Sequence, residues 1–440
     1  MRLAFDKPLG QKIFKIQFMA FLSSFKSTFF IWFLVFSSCA NHEKTKDDVA
    51  QTKVQAKDSV VQKPVKVASN RTELYVNDLI GKNVGVVANQ TSVIFKGDSS
   101  GKEAVSDSVT YTHLVDSLLA LNVKIKSVFA PEHGFRGAAD AGEKVKDGTD
   151  PKTGLPLISL YGKNRKPTTE QLKNLDVVLF DIQDVGVRFY TYIATLQLVM
   201  EACAENGKPI IVLDRPNPNG HYVDGPTMEK ENTSFLGMTP IPLVYGMTIG
   251  EYATMINEEG WLAGSKKANL KVIPLENWTH ETEYSLPIRP SPNLPNDKSI
   301  NLYPCLGLFE GTNINAGRGT EFQFQRYGAS FLDSTQYNFS YVPMPNFGSK
   351  HPKEEGKKCF GKDLSQIPRK TEVSLQWIID SYMNANDKSL VFNTSGFTKH
   401  AGTALLQKQI EKGLTEEEIK ATWQPQLEEF KKIRAKYLIY

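Results

Sequence analysis

From residue 72 onward the chain repeats one pattern: a short β-branched run, a polar loop, then an amphipathic helix. Strands that are apolar on both faces must be covered on both faces, so this alternation specifies a parallel sheet with helices above and below. Strands are predicted over 84–88, 123–129, 176–180, 209–213 and 270–273. Helices are predicted over 113–121, with Leu114, Leu118 and Leu121 on one stripe, over 192–203, and from Thr248 to about 262, where Thr248 and Glu251 have capping-box spacing. The expected fold class is α/β, a Rossmann-like doubly wound parallel sheet occupying residues 72–294.

The texture changes to proline and asparagine at Arg289-Pro290-Ser291-Pro292-Asn293-Leu294-Pro295, a natural boundary. About 370 residues exceed the usual size of one hydrophobic core, so residues 295–440 are expected to form a second, smaller α+β domain that completes the cleft. Near the end Thr415 and Glu418 form another capping box, and Ile419, Trp423, Leu427 and Phe430 make an apolar stripe that Pro425 should kink or divide.

The first 71 residues read differently. Phe29 to Phe36 is an apolar run behind Lys26, too short to span a bilayer, and Ser37-Ser38-Cys39 follows it. Residues 1–39 are therefore expected to be a signal peptide with a lipobox-like end, Cys39 being the acylated residue; ordinary cleavage nearby is the alternative. Residues 40–71 have the polar composition of a disordered tether. These features point to a periplasmic or cell-envelope protein that meets the membrane through a lipid anchor only. The net charge of +4 is spread over 440 residues without a basic block, which argues against nucleic acid as a partner. Cys203, Cys305 and Cys359 are widely spaced; a Cys305–Cys359 disulfide and three buried free thiols both fit.

In doubly wound sheets ligands bind outside the carboxyl ends of the strands. Polar clusters begin at four such ends, near Asn89, Glu132, Asp181 and Asp214, and are expected to line one cleft. No GxGxxG follows the first strand, which disfavours a nicotinamide, and no cofactor is expected. The clusters supply Glu132-His133-Gly134-Phe135-Arg136-Gly137 with Glu143, then Asp181 and Asp184 with Arg188 and Tyr190, then Asp214-Arg215-Pro216-Asn217, and Glu310 with Asn313 and Arg318. Carboxylates, amides and arginines are abundant, while no cysteine stands beside a histidine. Convergent carboxylates suit glycoside hydrolysis, in which one acid protonates the leaving oxygen and a second group acts as base or nucleophile. Glu132, between Phe129 and Phe135, suits the acid role; an ion pair with Arg136 is the competing, purely structural use. Asp181 and Asp214 could equally cap the turns that follow them. A metal site built from Glu132, His133, Asp181, Asp184 and Asp214 is the chemical rival, though no HxH or HExxH spacing supports it and no metal is expected. His113 is expected on a helix face, His221 on a loop and His400 near the C-terminal helices.

The segment 128–137 (Val-Phe-Ala-Pro-Glu-His-Gly-Phe-Arg-Gly), Ala141-Gly142-Glu143, Thr153-Gly154-Leu155-Pro156, Ser159-Leu160-Tyr161-Gly162, Asp181-Ile182-Gln183-Asp184-Val185-Gly186, Leu213-Asp214-Arg215-Pro216-Asn217-Pro218, Glu310-Gly311-Thr312-Asn313 and Gly317-Arg318-Gly319-Thr320 together resemble a bacterial family of exo-β-N-acetylmuramidases. The resemblance implies release of N-acetylmuramic acid from the non-reducing ends of peptidoglycan fragments (MurNAc-GlcNAc), in a cleft between a Rossmann-like domain and a smaller one. It places the family's motif glutamate on Glu132, with His133, Glu143, Asp181 or Asp184 supporting it. Asn89, Tyr190, Asp214, Asn217, Glu310 and Asn313 are expected to bind the sugar. N-acetylmuramic acid carries a lactyl carboxylate, which Arg188, Arg215 or Arg318 would hold. One departure is Glu321-Phe322-Gln323-Phe324, where a proline and phenylalanine are expected. A metal-dependent hydrolase and a non-catalytic sugar-binding lipoprotein are the other classes open at this point.

Overall fold

A seven-stranded sheet forms the body of the protein. The computed structural model describes residues 63–96, 110–137 and 146–440. Cys39, Glu143 and the signal segment lie outside them. The chain enters with β1 (Asn83–Ala88), a two-stranded antiparallel ribbon of β2 (Val93–Lys96) and β3 (Thr110–His113), helix α1 (Leu114–Ala120) and β4 (Lys124–Ala130). It continues through β5 (Gly148–Thr149), β6 (Pro156–Ser159), α2 (Thr169–Leu172), β7 (Val177–Asp181), α3 (Tyr192–Glu205), β8 (Ile210–Leu213), α4 (Ile249–Glu258) and β9 (Leu270–Ile273). The sheet order is β5-β6-β4-β1-β7-β8-β9, all neighbours parallel except the edge pair β5 and β6. Strands β7 and β8 are buried at every position, which is why their sequences are unbroken apolar runs.

The predicted strands and helices are present with small shifts at their ends. Thr248 and Glu251 make the capping box, but α4 stops at Glu258 rather than near 262. His113 is the N-cap of α1 and not a face residue: its Nδ1 accepts from the Val115 amide, while Nε2 meets the Asn89 carbonyl at 2.9 Å. Leu121 is exposed and outside the stripe. The tether boundary also moves. Val65, Val67 and Ala68 are buried, Lys66 pairs with Glu276 backbone to backbone, and Ser69 Oγ donates to the Val93 carbonyl at 2.6 Å. Residues 63–71 thus belong to the folded body, because the alternation Val65-Lys66-Val67 is a strand-like pattern concealed within a polar composition.

The second, smaller part begins with α5 (Asp297–Leu306) and carries an antiparallel sheet of order β10-β12-β11, built from β10 (Arg326–Ala329), β11 (Phe339–Tyr341) and β12 (Cys359–Asp363). Helices α6 (Gln376–Met383), α7 (Thr394–Ala401), α8 (Leu405–Glu411) and α9 (Glu416–Arg434) follow. Ile419, Trp423, Leu427 and Phe430 are buried as the stripe requires, and the Thr415–Glu418 capping box is formed. Pro425 does not divide α9: it lies on the exposed face, where water can satisfy the carbonyl its missing N–H leaves behind. The chain end returns to the sheet, the Tyr440 hydroxyl donating to Asp214 at 2.8 Å. Cys203, Cys305 and Cys359 are buried free thiols, so the disulfide alternative is not used.

Candidate active site

The carboxyl ends of β4, β1, β7 and β8 lie side by side as expected, but the polar residues on them divide into two groups. At the centre the groups bond mainly to one another and to the backbone. Arg215 donates to both Asp181 oxygens, at 2.6 and 2.8 Å, with both side chains buried. Burial pushes the Asp181 carboxyl above its ordinary value even with Arg215 opposing it. Asp214 accepts from the Arg215 and Gly250 amides, Thr248 Oγ1 and Tyr440, fastening the start of α4 and the chain end to β8. Burial still raises its carboxyl to about 7. Asp184 accepts from the Gly186 amide and the Tyr245 hydroxyl, and burial lifts it to about 6. Asn217 spans the Met247 carbonyl and the Asn219 amide, and a side chain at Gly186, whose φ is +75°, would strike it at 2.3 Å. Asn89 holds its own turn through Thr91.

Arg188 is another structural residue. Its guanidinium is buried and donates to the carbonyls of Pro226, Ile241, His400 and Ala401 at 2.6 to 3.0 Å. Burial without a carboxylate partner lowers it to about 9. The arrangement needs Gly402, since a Cβ there would stand 2.6 Å from the Arg188 terminal nitrogen. Asn313 is likewise committed, to the Leu390 carbonyl at 2.7 Å. Asp181, Asp184, Asp214, Arg188, Arg215, Asn89, Asn217 and Asn313 are therefore not cleft residues, and the carboxylates of the proposed metal set are held apart by these separate bonds. Arg136 also departs from expectation: it pairs with Asp150 at 2.7 Å rather than with Glu132.

The second group faces a cleft of about 340 Å³, at the small end of ligand sites. Glu132, His133, Tyr190, Glu310 and Arg318 are the sequence-predicted residues that line it. Glu132 leaves the end of β4 and reaches the start of α3, where Thr191 Oγ1 donates to its Oε2 at 2.9 Å and the Tyr192 hydroxyl meets its carbonyl at 3.4 Å. The backbone turns sharply here: His133 has φ +69° and is followed by Gly134 at +75°. A buried, non-glycine residue in the left-handed region is strained, and such strain persists where surrounding structure holds a site in shape.

The facing wall comes from the smaller part. Arg318 Nη1 donates to Glu310 Oε1 at 2.8 Å, and Lys353 Nζ donates to the carbonyls of Phe309 and Glu310, each at 2.9 Å, and of Thr312. Burial disfavours the charge on Glu310, but Arg318, His400 and Lys353 outweigh it and hold the carboxyl below its usual range. Burial brings Lys353 down to about 8. His400, on α7, has its Nδ1 on the Gly396 carbonyl at 2.9 Å, which makes Nδ1 the protonated nitrogen of the neutral ring and Nε2 the acceptor. Burial, together with Lys353 and Arg188, keeps its pKa below the ordinary value. Tyr303 and Phe324 pack edge to face at 4.8 Å in the wall, so the departing segment 321–324 supplies a cleft residue.

Sequence reasoning missed Arg165, Thr191, Phe235, Tyr303, Lys399 and His400 as lining residues. Nothing local marks them: each stands in an unremarkable helix or loop and reaches the cleft only through packing. Among the described residues no group of three His, Cys, Asp or Glu side chains forms a metal set.

Two family models cover this architecture, the N-terminal one of exo-β-N-acetylmuramidase NamZ over residues 84–298 and the C-terminal one over 301–440. The peptidoglycan β-N-acetylmuramidase NamZ of Bacillus subtilis (strain 168) is 40% identical over 387 residues, 83% of this chain and 89% of that one. Two crystal structures of DUF1343 family proteins from Bacteroides fragilis NCTC 9343 match 86% of this chain and 99% of theirs, with TM-scores of 0.76 and 0.71 at 41% and 28% identity. With both models matched in order from the first strand to the last residue, the chain belongs to the exo-β-N-acetylmuramidase NamZ family.

Proposed function

We propose that this protein is an exo-acting glycoside hydrolase that releases N-acetylmuramic acid from the non-reducing ends of peptidoglycan fragments. The observation that carries the reading is the cleft itself: Glu132, the family's motif glutamate, faces Glu310 across a space sized for a small ligand. These are its two described carboxylates, and their surroundings differ. Glu132 is bonded by neutral hydroxyls, from Thr191 and from Tyr161, whose own ionisation burial and the Glu132 charge suppress. Glu310 is held ionised by cations. Two carboxylates in unlike settings are what acid and base or nucleophile roles require.

Glu132 would give its proton to the glycosidic oxygen as the bond to the anomeric carbon breaks. Glu310 would stabilise the positive charge that develops there and either direct water to the anomeric carbon or attack it. His133 shapes the Glu132 turn, and Tyr190 and Tyr303 supply apolar wall. The signal-like segment and Cys39 of the sequence support a cell-envelope enzyme on a lipid anchor, a reading that the mass of the mature N-terminus would test.

The decisive experiment incubates the protein with a chromogenic N-acetyl-β-muramide, with the corresponding N-acetyl-β-glucosaminide as control. Release from the muramide alone is expected. Absence of release by folded protein that still binds N-acetylmuramic acid would make it a sugar-binding protein instead.

A further inference from the structure

Recognition of an acidic sugar needs a cation that is not already spent. Arg215 is committed to Asp181, Arg188 to four carbonyls, and Arg318 to Glu310, so each of these arginines already holds an acceptor in the protein. Arg165 is different. It is exposed at the cleft, its guanidinium lies 4.3 Å from the centre of the Phe235 ring, and it forms no ion pair with any described carboxylate. It stands on the Glu132 side, where the Tyr161 hydroxyl senses the charges of both.

Arg165 also occupies a junction. With Ser234 and Phe235 it borders both the cleft and an adjoining hollow of about 290 Å³ whose floor includes Leu198 and Met238. Stacking on Phe235 restricts the guanidinium plane before any ligand arrives, so less rotamer freedom is lost on binding. Lys399, the other uncommitted cation of the lining, is an exposed point charge on a flexible stem with no such platform.

We infer that Arg165, pre-oriented on Phe235, is the residue that selects the substrate by binding the lactyl carboxylate of N-acetylmuramic acid bidentately. The inference rests on the muramidase reading of the cleft and concerns binding rather than bond cleavage. It is tested by calorimetric titration of the full protein with N-acetylmuramic acid and with N-acetylglucosamine, alongside hydrolysis of the two chromogenic sugars. Arg165→Ala should weaken N-acetylmuramic acid binding roughly 10- to 100-fold, the range for charge-assisted hydrogen bonds, and leave N-acetylglucosamine unchanged. Arg165→Lys should restore only part, since an ammonium lacks the planar fork. An exposed side chain carries little fold stability, so loss of folding does not confuse the result.

Equal weakening of both sugars, unchanged binding of N-acetylmuramic acid, or collapse of the preference in Lys399→Ala instead would each overturn the assignment. Arg165-dependent binding without muramide hydrolysis would sustain the assignment while removing the proposed activity. A wild-type protein that binds neither sugar would overturn both.

Discussion

Two carboxylates stand at the carboxyl ends of strands that flank β1 in the same sheet and have opposite fates. Asp181 closes β7 and is locked to Arg215 beneath a layer of backbone and side chains; Glu132 follows β4 and opens on the cleft, where the Thr191 hydroxyl donates to it. Both are acidic residues at the carboxyl edge of parallel strands, so strand position alone does not assign chemistry. What packs above the strand end does. Over β7 and β8 the segments after each strand fold back and fill the edge with Arg215, Asn217 and Thr248, whereas over β4 the smaller part of the protein stands off and leaves a space.

The contrast predicts that substitutions on one side alter rate and on the other alter stability. Glu132→Gln keeps an oxygen for Thr191 but removes the proton donor, so muramide turnover should fall about 1,000-fold with the melting temperature nearly unchanged. A comparable loss of melting temperature would put Glu132 among the structural carboxylates. Asp181→Ala strands a buried guanidinium and should cost about 3 to 5 kcal/mol, read from the denaturant midpoint, while the fraction that stays folded keeps its kcat. Glu310→Gln tests an intermediate case, a cleft carboxylate that is also ion-paired. Turnover should drop about 100-fold, and kcat rather than KM should carry the loss.

The smallest effect concerns Asp150, whose hydrogen bonds from Arg136 and Thr153 hold it down to about 2. A depressed carboxylate stabilises the fold above the unfolded value near 4 and loses that stabilisation as pH falls through about 2. The guanidinium is partly exposed, so the contribution is on the order of 1 kcal/mol. Thermal unfolding of Asp150→Asn should differ from wild type at neutral pH and converge with it near pH 2, and a constant difference would show that packing, not charge, is at stake.

Much of this was legible in the residues. Apolar runs mark β1, β4, β7, β8 and β9 because burial on both faces demands them, and capping boxes mark the starts of α4 and α9 because a helix leaves unpaired amides at its first turn. The site was legible only where motif and space coincide, at Glu132, His133, Tyr190, Glu310 and Arg318. Arg188 and Asn313 looked equally functional, since glycine-rich and strand-end loops attract polar residues for structural bonds as readily as for catalysis. His400 and Arg165 carried no local sign: one stands in α7, held by a buried arginine more than two hundred residues earlier, and the other follows β6 in an ordinary polar turn.

The sequence by itself determined the strand and helix alternation, the boundary near residue 295 as a change of texture, and the family segments that mark Glu132. The tertiary structure decided which polar groups were already satisfied. Hydrogen bonds between residues far apart in the chain consume most of the charged groups at the strand ends, and such pairings have no periodicity to read. Only after that accounting do an acid with hydroxyl partners, a carboxylate held ionised and an exposed guanidinium remain to meet a substrate.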